Sequence, residues 1–287
     1  MDSADSDETT PDRRSAGFKH RTRIDDARER ILDAVTPHDR TERLGLIPAD
    51  GRALAEPVAS PRAVPDYDRA AMDGWAVRAG DTFGASSRSP GVLRVADDTA
   101  HSSPETAVAD GSAVRVHTGS ELPDGADAVV MIEHADRVGD ELEVFDAVAE
   151  GENVAPVGED VAEGQALFDP GHRLRPSDLG LLKSVGVDRV TTYEPPTVGV
   201  IPTGEELVQS DPGPGEVVET NGLTVSQLVE RWGGLPTYRN VVTDDPAALR
   251  AAIQRDLTKD VVVTTGGSSV GARDLIPEVV DDLGEVL

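Results

Sequence analysis

The stretch VVVTTGGSSVGARD, residues 261–274, decides how the second half of the chain reads. Three β-branched valines predict a buried strand, which breaks into Thr-Thr-Gly-Gly-Ser-Ser ahead of a helical pattern. Gly266, Gly267 and Gly271 permit tight turning and close backbone approach, while Ser268, Ser269 and a following helix N-terminus offer donors and a positive dipole end. Such a turn suits a phosphate or another tetrahedral oxyanion, although an ordinary glycine-rich βα turn reads the same way. It is neither a Walker loop, lacking the Gly-Lys-Thr ending, nor a dinucleotide fingerprint, lacking the Gly-x-Gly-x-x-Gly spacing.

The surroundings place this turn in an α/β domain. TVGVI (197–201) predicts a strand, and Asn221 opens a helix whose stripe is Val225, Leu228, Val229 and Trp232 before Gly233 and Gly234 end it. LPTYRNVV (235–242) is a second strand, Asp245 and Pro246 form a cap and first-turn pair for another helix, and LIPEVVDDLG (275–284) is a last helical segment. Strands alternating with helices predict a parallel sheet covered on both faces, with ligands beyond the carboxyl ends of its strands. IPTGEELV (201–208) and TTGGSSVG both fall at that edge.

Further upstream the rhythm differs. Between about 46 and 162, the short runs VLRVA, AVRVHT, AVVMIE and LEVF, parted by Gly, Pro and Asp turns, predict a β-rich domain. Two helices flank it: one over Ile24, Ala27, Ile31, Leu32 and Val35, stopped by Pro37, and PSDLGLLKSVG (176–186), with Ser177 as N-cap and Gly186 as stop. They are expected to pair as a separate unit. Residues 1–20 read as a disordered acidic tail.

The 287 residues carry 54 acidic against 27 basic groups, a net charge of −27, with lysine only at Lys19, Lys183 and Lys259. A field of that sign repels nucleic acid and anionic membranes, so neither is an expected partner. The acidic excess resembles halophilic adaptation, and most individual carboxylates are expected to be solvated. No apolar run approaches the roughly 20 residues of a membrane span, and the polar N-terminus is unlike a signal peptide, so a cytoplasmic location is expected. The absence of cysteine excludes disulfides, thiolate catalysis and sulfur-ligated metals.

Three other stretches carry candidate chemistry. VPDYDRAAMDGWAVRAGD (64–81) sets Asp68 and Asp73 beside a small-residue patch, where two carboxylates suit a hard cation such as Mg²⁺. Its plainer reading is a solvated turn with Met72 and Trp75 in the core. VHTGSELPDGADAVVMIEH (116–134) places Thr118 at a strand end, open to a ligand contact, whereas His117 and His134 lack ligand spacing. GENVAPVGEDVAEG (151–164) is rich in carboxylates and glycines and reads as a solvated face on composition alone. No Ser-His-Asp set, His-Glu-x-x-His helix or EF-hand loop is present.

In this order, over residues 24 to 287, these stretches resemble the molybdopterin molybdenumtransferase family, which includes the C-terminal domain of gephyrin. DYDRAAMDGWAVRAGD is similar to its Asp-Asn-Ser-Ala-Met-Asp-Gly-Tyr-Ala motif, and HTGSELPDGADAVVMIE to Thr-Gly-x-x-x-Pro-x-Gly-x-x-x-Val-Val. GENVAPVGEDVAEG is similar to Gly-x-Asn-x-Arg-x-x-Gly-Glu-Asp. IPTGEELV and TTGGSSVGARD match Thr-Gly-Asp-Glu-Leu and Gly-Gly-x-Ser-x-Gly-x-x-Asp.

The resemblance implies a mixed multi-domain fold and an elongated homodimer. A two-segment linker and dimerisation domain (21–45 and 163–193) would carry a β-rich inserted domain (46–162) and an α/β domain like the molybdopterin adenylyltransferases (194–287, incomplete). The cleft would lie between the α/β domain of one subunit and the β-rich domain of the other. The implied reaction inserts molybdate, or tungstate, into adenylylated molybdopterin with release of AMP and Mg²⁺ as cofactor; a molybdopterin adenylyltransferase is an expected partner. Carried over by motif, Asp73, Asp160 and Asp274 are metal-placing or acid/base groups, with Asp73 and Asp274 as the metal ligands. Glu206 would contact the pterin and Thr118 an oxyanion, and Asp245, Gly266, Gly267, Ser268, Ser269 and Gly271 would line the substrate site.

Two departures stand out. Members continue into a Lys-rich Pro-Gly-Lys-Pro segment and a small C-terminal β domain, whereas this chain stops at Leu287, as a fragment or truncated product would. The arginine expected in the 151–164 loop is replaced at Ala155 or Pro156. The alternatives are adenylyl transfer to molybdopterin, against which AAMDGWA within a β-rich insertion argues, and a non-catalytic dimeric scaffold.

Overall fold

The structure is a computed structural model that describes residues 22–97, 107–266 and 275–284. Two compact units emerge: Arg43–Thr192, and the residues up to Glu42 together with those from Tyr193 onward.

The chain enters through α1 (Ile24–Ala34), which forms where the apolar spacing predicts it. None of its residues is buried, so Ile24, Ile31 and Leu32 present an exposed apolar stripe. β1 (Thr41–Gly45), β2 (Val58–Ala59), β3 (Arg69–Ala70), β4 (Gly74–Val77), β5 (Ser86–Asp97) and β6 (Ser112–Val116) follow. Next come β7 (Ala128–Met131), β8 (Ala135–Val138), β9 (Glu141–Asp146), β10 (Val154–Ala155), β11 (Ala166–Phe168), α2 (Pro176–Ser184) and β12 (Arg189–Tyr193).

The predicted β runs become a six-stranded sheet in the order β7-β4-β6-β5-β9-β8, antiparallel except where β5 meets β6. Its side chains alternate between two cores as a period of two requires. Trp75, Val77, Ala128, Val130, Leu142 and Val144 fill one; Ala76, Val114, Val116 and Val129 fill the other. Burial on both faces suits the apolar runs of β4, β6 and β7, whereas β9 is buried only at every second residue.

Gly74 shows how tightly the sheet is packed. It stands opposite Met131 on one side and Val116 on the other, and a Cβ there would come within 2.0 Å of the Val130 carbonyl oxygen. Because backbone cannot yield as a flexible side chain does, Gly74→Ala is expected to cost about 2–3 kcal/mol. Urea unfolding of the variant measures this, and an unchanged midpoint would refute the packing.

A separate core in the same unit joins Leu44, Ala49, Leu54, Val58, Leu167, Leu174, Leu182 and Val190 around α2. The N-cap of α2 is Arg175, with Pro176 in the first turn, and not Ser177 as the sequence suggested. Asp178 takes over the capping, accepting from the Arg175 backbone N–H at 3.0 Å, its guanidinium and the His172 ring. Gly186 does stop the helix, in a left-handed conformation with φ of 84°. α1 falls in the unit that resumes at Tyr193, and α2 in Arg43–Thr192.

The other unit is built from β13 (Thr197–Pro202), β14 (Leu207–Val208), β15 (Val217–Val218), α3 (Asn221–Trp232), β16 (Leu235–Tyr238), α4 (Pro246–Asp256), β17 (Val261–Thr265) and α5 (Ile276–Asp281). Its sheet is parallel, in the order β16-β13-β17. Val198 and Val200 pack against α3 through Val225 and Val229, while Ile201 packs against Leu249, Ile253 and Val279 of α4 and α5. Helices therefore cover both faces, as the alternating pattern predicts. Because the chain steps from the central β13 to β16 on one side and β17 on the other, a topological switch point opens at the carboxyl edge of β13.

Candidate functional site

Within Arg43–Thr192, two predicted residues meet. Thr118 donates both its backbone N–H, at 2.7 Å, and its hydroxyl, at 2.9 Å, to Asp73 Oδ1. Asp73 is placed by the turn into β4, where its carbonyl accepts from Ile132 N, and Thr118 by the turn that follows β6. These two donors hold the Asp73 carboxyl below the usual carboxylate range, and the nearby charges of His117 and Arg115 act the same way. Asp73 is thus an exposed, oriented and ionised carboxylate. His117 Nδ1 stands 3.8 Å from Asp73 Oδ1.

Asp160 lies in the loop after β10, its side chain 57% exposed and 3.5 Å from Arg69 Nη2. The same guanidinium nitrogen reaches Glu159 at 3.3 Å, and Asp68 Oδ1 accepts from Val157 N at 2.9 Å. The stretch 64–81 therefore touches both other motif loops of this unit. Trp75 is buried in the core as expected, with the Arg115 guanidinium 5.4 Å from its ring centroid; Met72 is exposed instead.

The remaining described candidates gather at the carboxyl edge of the parallel sheet. Gly266 follows β17 with φ of 130°, and a Cβ on it would come within 2.1 Å of the Thr203 carbonyl oxygen. Only glycine lets these two turns touch. Thr203 is 3% exposed, and its hydroxyl and that of Thr265 are buried without a hydrogen-bond partner among the described residues. Glu206, in the turn after β13, is exposed, with a carboxylate that a Cβ on Gly204 would meet at 3.0 Å. Asp245 caps α4, accepting from Ala248 N at 2.8 Å, as the sequence predicts. Gly267, Ser268, Ser269, Gly271 and Asp274 lie outside the described residues.

The sequence reading missed a polar cluster at this edge. Glu219, 5% exposed, accepts from Gly222 N at 2.5 Å at the start of α3 and from the Tyr238 hydroxyl at the end of β16. The contact with Glu219 raises the Tyr238 pKa above the ordinary phenol value, and burial acts in the same direction. The signal available was an acid immediately ahead of a helix start.

Residues 22–186 match the family described as "MoeA N-terminal region (domain I and II)", and residues 199–287 match "Probable molybdopterin binding domain". The molybdopterin molybdenumtransferase of Bacillus subtilis is 35% identical over 269 residues, 91% of this chain and 62% of that one. That of Haemophilus influenzae is 34% identical over 268 residues, 92% of this chain and 65% of that one. Two solved structures of the molybdopterin biosynthesis MoeA protein from Pyrococcus horikoshii align with a TM-score of 0.77, at 33% and 36% identity. They cover 89% and 83% of this chain and 65% and 64% of theirs. The chain thus spans a little under two thirds of the length of the relatives it matches. Since the N-terminal match alone takes in more than half of the residues, and the order of motifs and the α/β sheet agree with it, the chain belongs to the MoeA family.

Proposed function

We propose that the chain acts as a molybdopterin molybdenumtransferase, inserting molybdate into adenylylated molybdopterin with release of AMP. The observation that carries this reading is the bond between Asp73 and Thr118, 45 residues apart, which holds a charged carboxylate in one orientation. Thr118 engages only Oδ1, so the geometry leaves Oδ2 to act elsewhere. The names of the relatives from Bacillus subtilis and Haemophilus influenzae support the same reading.

At the carboxyl edge of the sheet, Gly266 brings the turn after β17 onto Thr203, and Glu206 stands beside it. In the proposal, main-chain amides and hydroxyls of Gly266, Gly267, Ser268, Ser269 and Gly271 hold phosphate or molybdate, with Asp245 and Glu206 at the substrate's margin. Asp160 and Asp274 serve with Asp73 as acid/base or metal-placing groups.

Mg²⁺ belongs to this reading through Asp73 and Asp274. Among the described residues no three His, Asp or Glu side chains converge as a metal centre. Asp73 nevertheless fits the usual mode for this ion, in which one or two carboxylates and a substrate's phosphates share it. When bound, it would offset phosphate charge.

The core that joins residues 44–58 to 167–190 supports a linker domain built from two chain segments, its first segment running past residue 45 into the stretch read as the β-rich insertion. The exposed stripe of α1 supports a homodimer, which sedimentation would test. A cytoplasmic location and supply of substrate by an adenylyltransferase complete the proposal; among the described residues no helix is long and apolar enough to cross a membrane.

The deciding measurement is AMP release from adenylylated molybdopterin with molybdate, with tungstate and with neither. Release that depends on the oxyanion is expected. Equal release without it would mean simple hydrolysis and overturn the insertion reading; pyrophosphate release from ATP with molybdopterin would favour the adenylyltransferase alternative, and neither signal from a folded chain would overturn the enzymatic reading.

A further inference from the structure

Arg69 belongs to none of the candidate sets, yet it sits where three motif stretches meet. Its strand β3 pairs antiparallel with β10, with Ala155 directly opposite Arg69 and Val154 opposite Ala70. On the other side the Arg69 backbone forms an antiparallel β-bridge with Glu121, while Ala70 N donates to Ser120 O and Gly119 N to Ala70 O, at 2.9 and 2.8 Å. The same short strand therefore holds the turn that carries Thr118 and the loop that carries Asp160. Asp68 adds a third grip on that loop through Val157 N.

One guanidinium nitrogen, Nη2, reaches both Glu159 and Asp160. Two adjacent carboxylates repel each other, more so in a chain of net charge −27. A planar cation that reaches both removes that repulsion and restricts where each can swing. Exposed ion pairs of this kind contribute little to stability, so the consequence falls on orientation.

A second observation agrees. Counted along the Gly-x-Asn-x-Arg pattern, Ala155 occupies the arginine position, and it is 5% exposed. Opposed residues on one face of an antiparallel pair stand about 5 Å apart, so long side chains at 69 and 155 would compete for one space. The cation missing from one strand is present on its partner.

We propose that Arg69 is a positioning residue that holds Glu159 and Asp160 in place and thereby sets the Asp160 carboxylate for the reaction proposed above, on which this inference rests. The test compares Arg69→Ala, Arg69→Lys and the swap Arg69→Ala/Ala155→Arg in the full chain. For Arg69→Ala, kcat of molybdate-dependent AMP release should fall about tenfold, with KM and thermal midpoint little changed. Lysine should rescue only in part, because an ammonium is a more strongly hydrated point charge on a flexible stem, and the swap should restore most of the rate. Amide hydrogen exchange at residues 157–160 should quicken in Arg69→Ala.

Wild-type kcat and exchange in Arg69→Ala would overturn the inference. A swap that folds but stays as slow as Arg69→Ala would overturn the cross-strand relocation; should the swap not fold, the order wild type, lysine, alanine decides. If the wild-type chain itself releases no AMP, the functional reading fails, while hydrogen exchange still tests whether Arg69 fixes the loop.

Discussion

Asp73→Asn is expected to slow molybdate-dependent AMP release by about 100-fold or more while leaving the fold intact. Asparagine keeps an oxygen at Oδ1 that can accept from Thr118 N and Oγ1, so the hydrogen-bonded geometry survives and only the charge is lost. The side chain is half exposed, so the substitution leaves no buried group without a partner. Because Thr118 holds the native carboxyl below the ordinary carboxylate range, Asp73 stays ionised throughout the neutral region. Its titration should therefore leave no inflection in the rate near pH 7. Thr118→Val separates orientation from charge: it removes the hydroxyl bond, keeps the backbone bond, and should slow the reaction less than Asp73→Asn. A wild-type rate in Asp73→Asn would remove the residue from the chemistry, whatever its bond to Thr118.

What the sequence disclosed and what it hid follow from the range of the forces involved. The runs around Val129 and Val144, and the valines of β17, announce strands because β-branched and apolar residues cluster locally. Asp245 announces a helix start because a cap acts within three residues. Ser177 misled because Arg175, already followed by Pro176, enters the helix earlier and Asp178 supplies the capping bonds. The site was legible as a set of motifs but not as contacts. Nothing local in Asp73 foretells Thr118, and nothing local in Arg69 foretells the loop of β10 that it pairs with. Asp178, Glu219 and Asp256 are the exceptions to a mostly solvated set of carboxylates, each buried beside a partner that only the fold supplies.

Among these, Asp256 should have the largest effect on stability. It is the last residue of α4, fully buried, and a negative charge at a helix C-terminus is unfavourable by itself. Arg239 offsets that cost by binding both carboxylate oxygens, with Nε 2.9 Å from Oδ2. Asp256→Ala leaves a largely buried guanidinium unpaired and should destabilise the α/β unit by about 3–5 kcal/mol. The Arg239 contact holds the Asp256 carboxyl below its ordinary value. A carboxyl lowered in the native state stabilises above its unfolded pKa of about 4 and loses that contribution as pH falls through the native value. The gap between wild type and Asp256→Ala should therefore be widest at neutral pH and narrow in acid. Gly199 supplies the control. A Cβ there would lie 2.8 Å from Asp256 Oδ2, against a carboxylate pinned by Arg239, so Gly199→Ala should destabilise the wild type. In the Asp256→Ala background that obstacle is gone, and the second substitution should cost much less, a non-additivity that urea unfolding of the four proteins would measure. Additive costs would mean that the carboxylate does not lie over Gly199, and the account of this buried pair would fall with it.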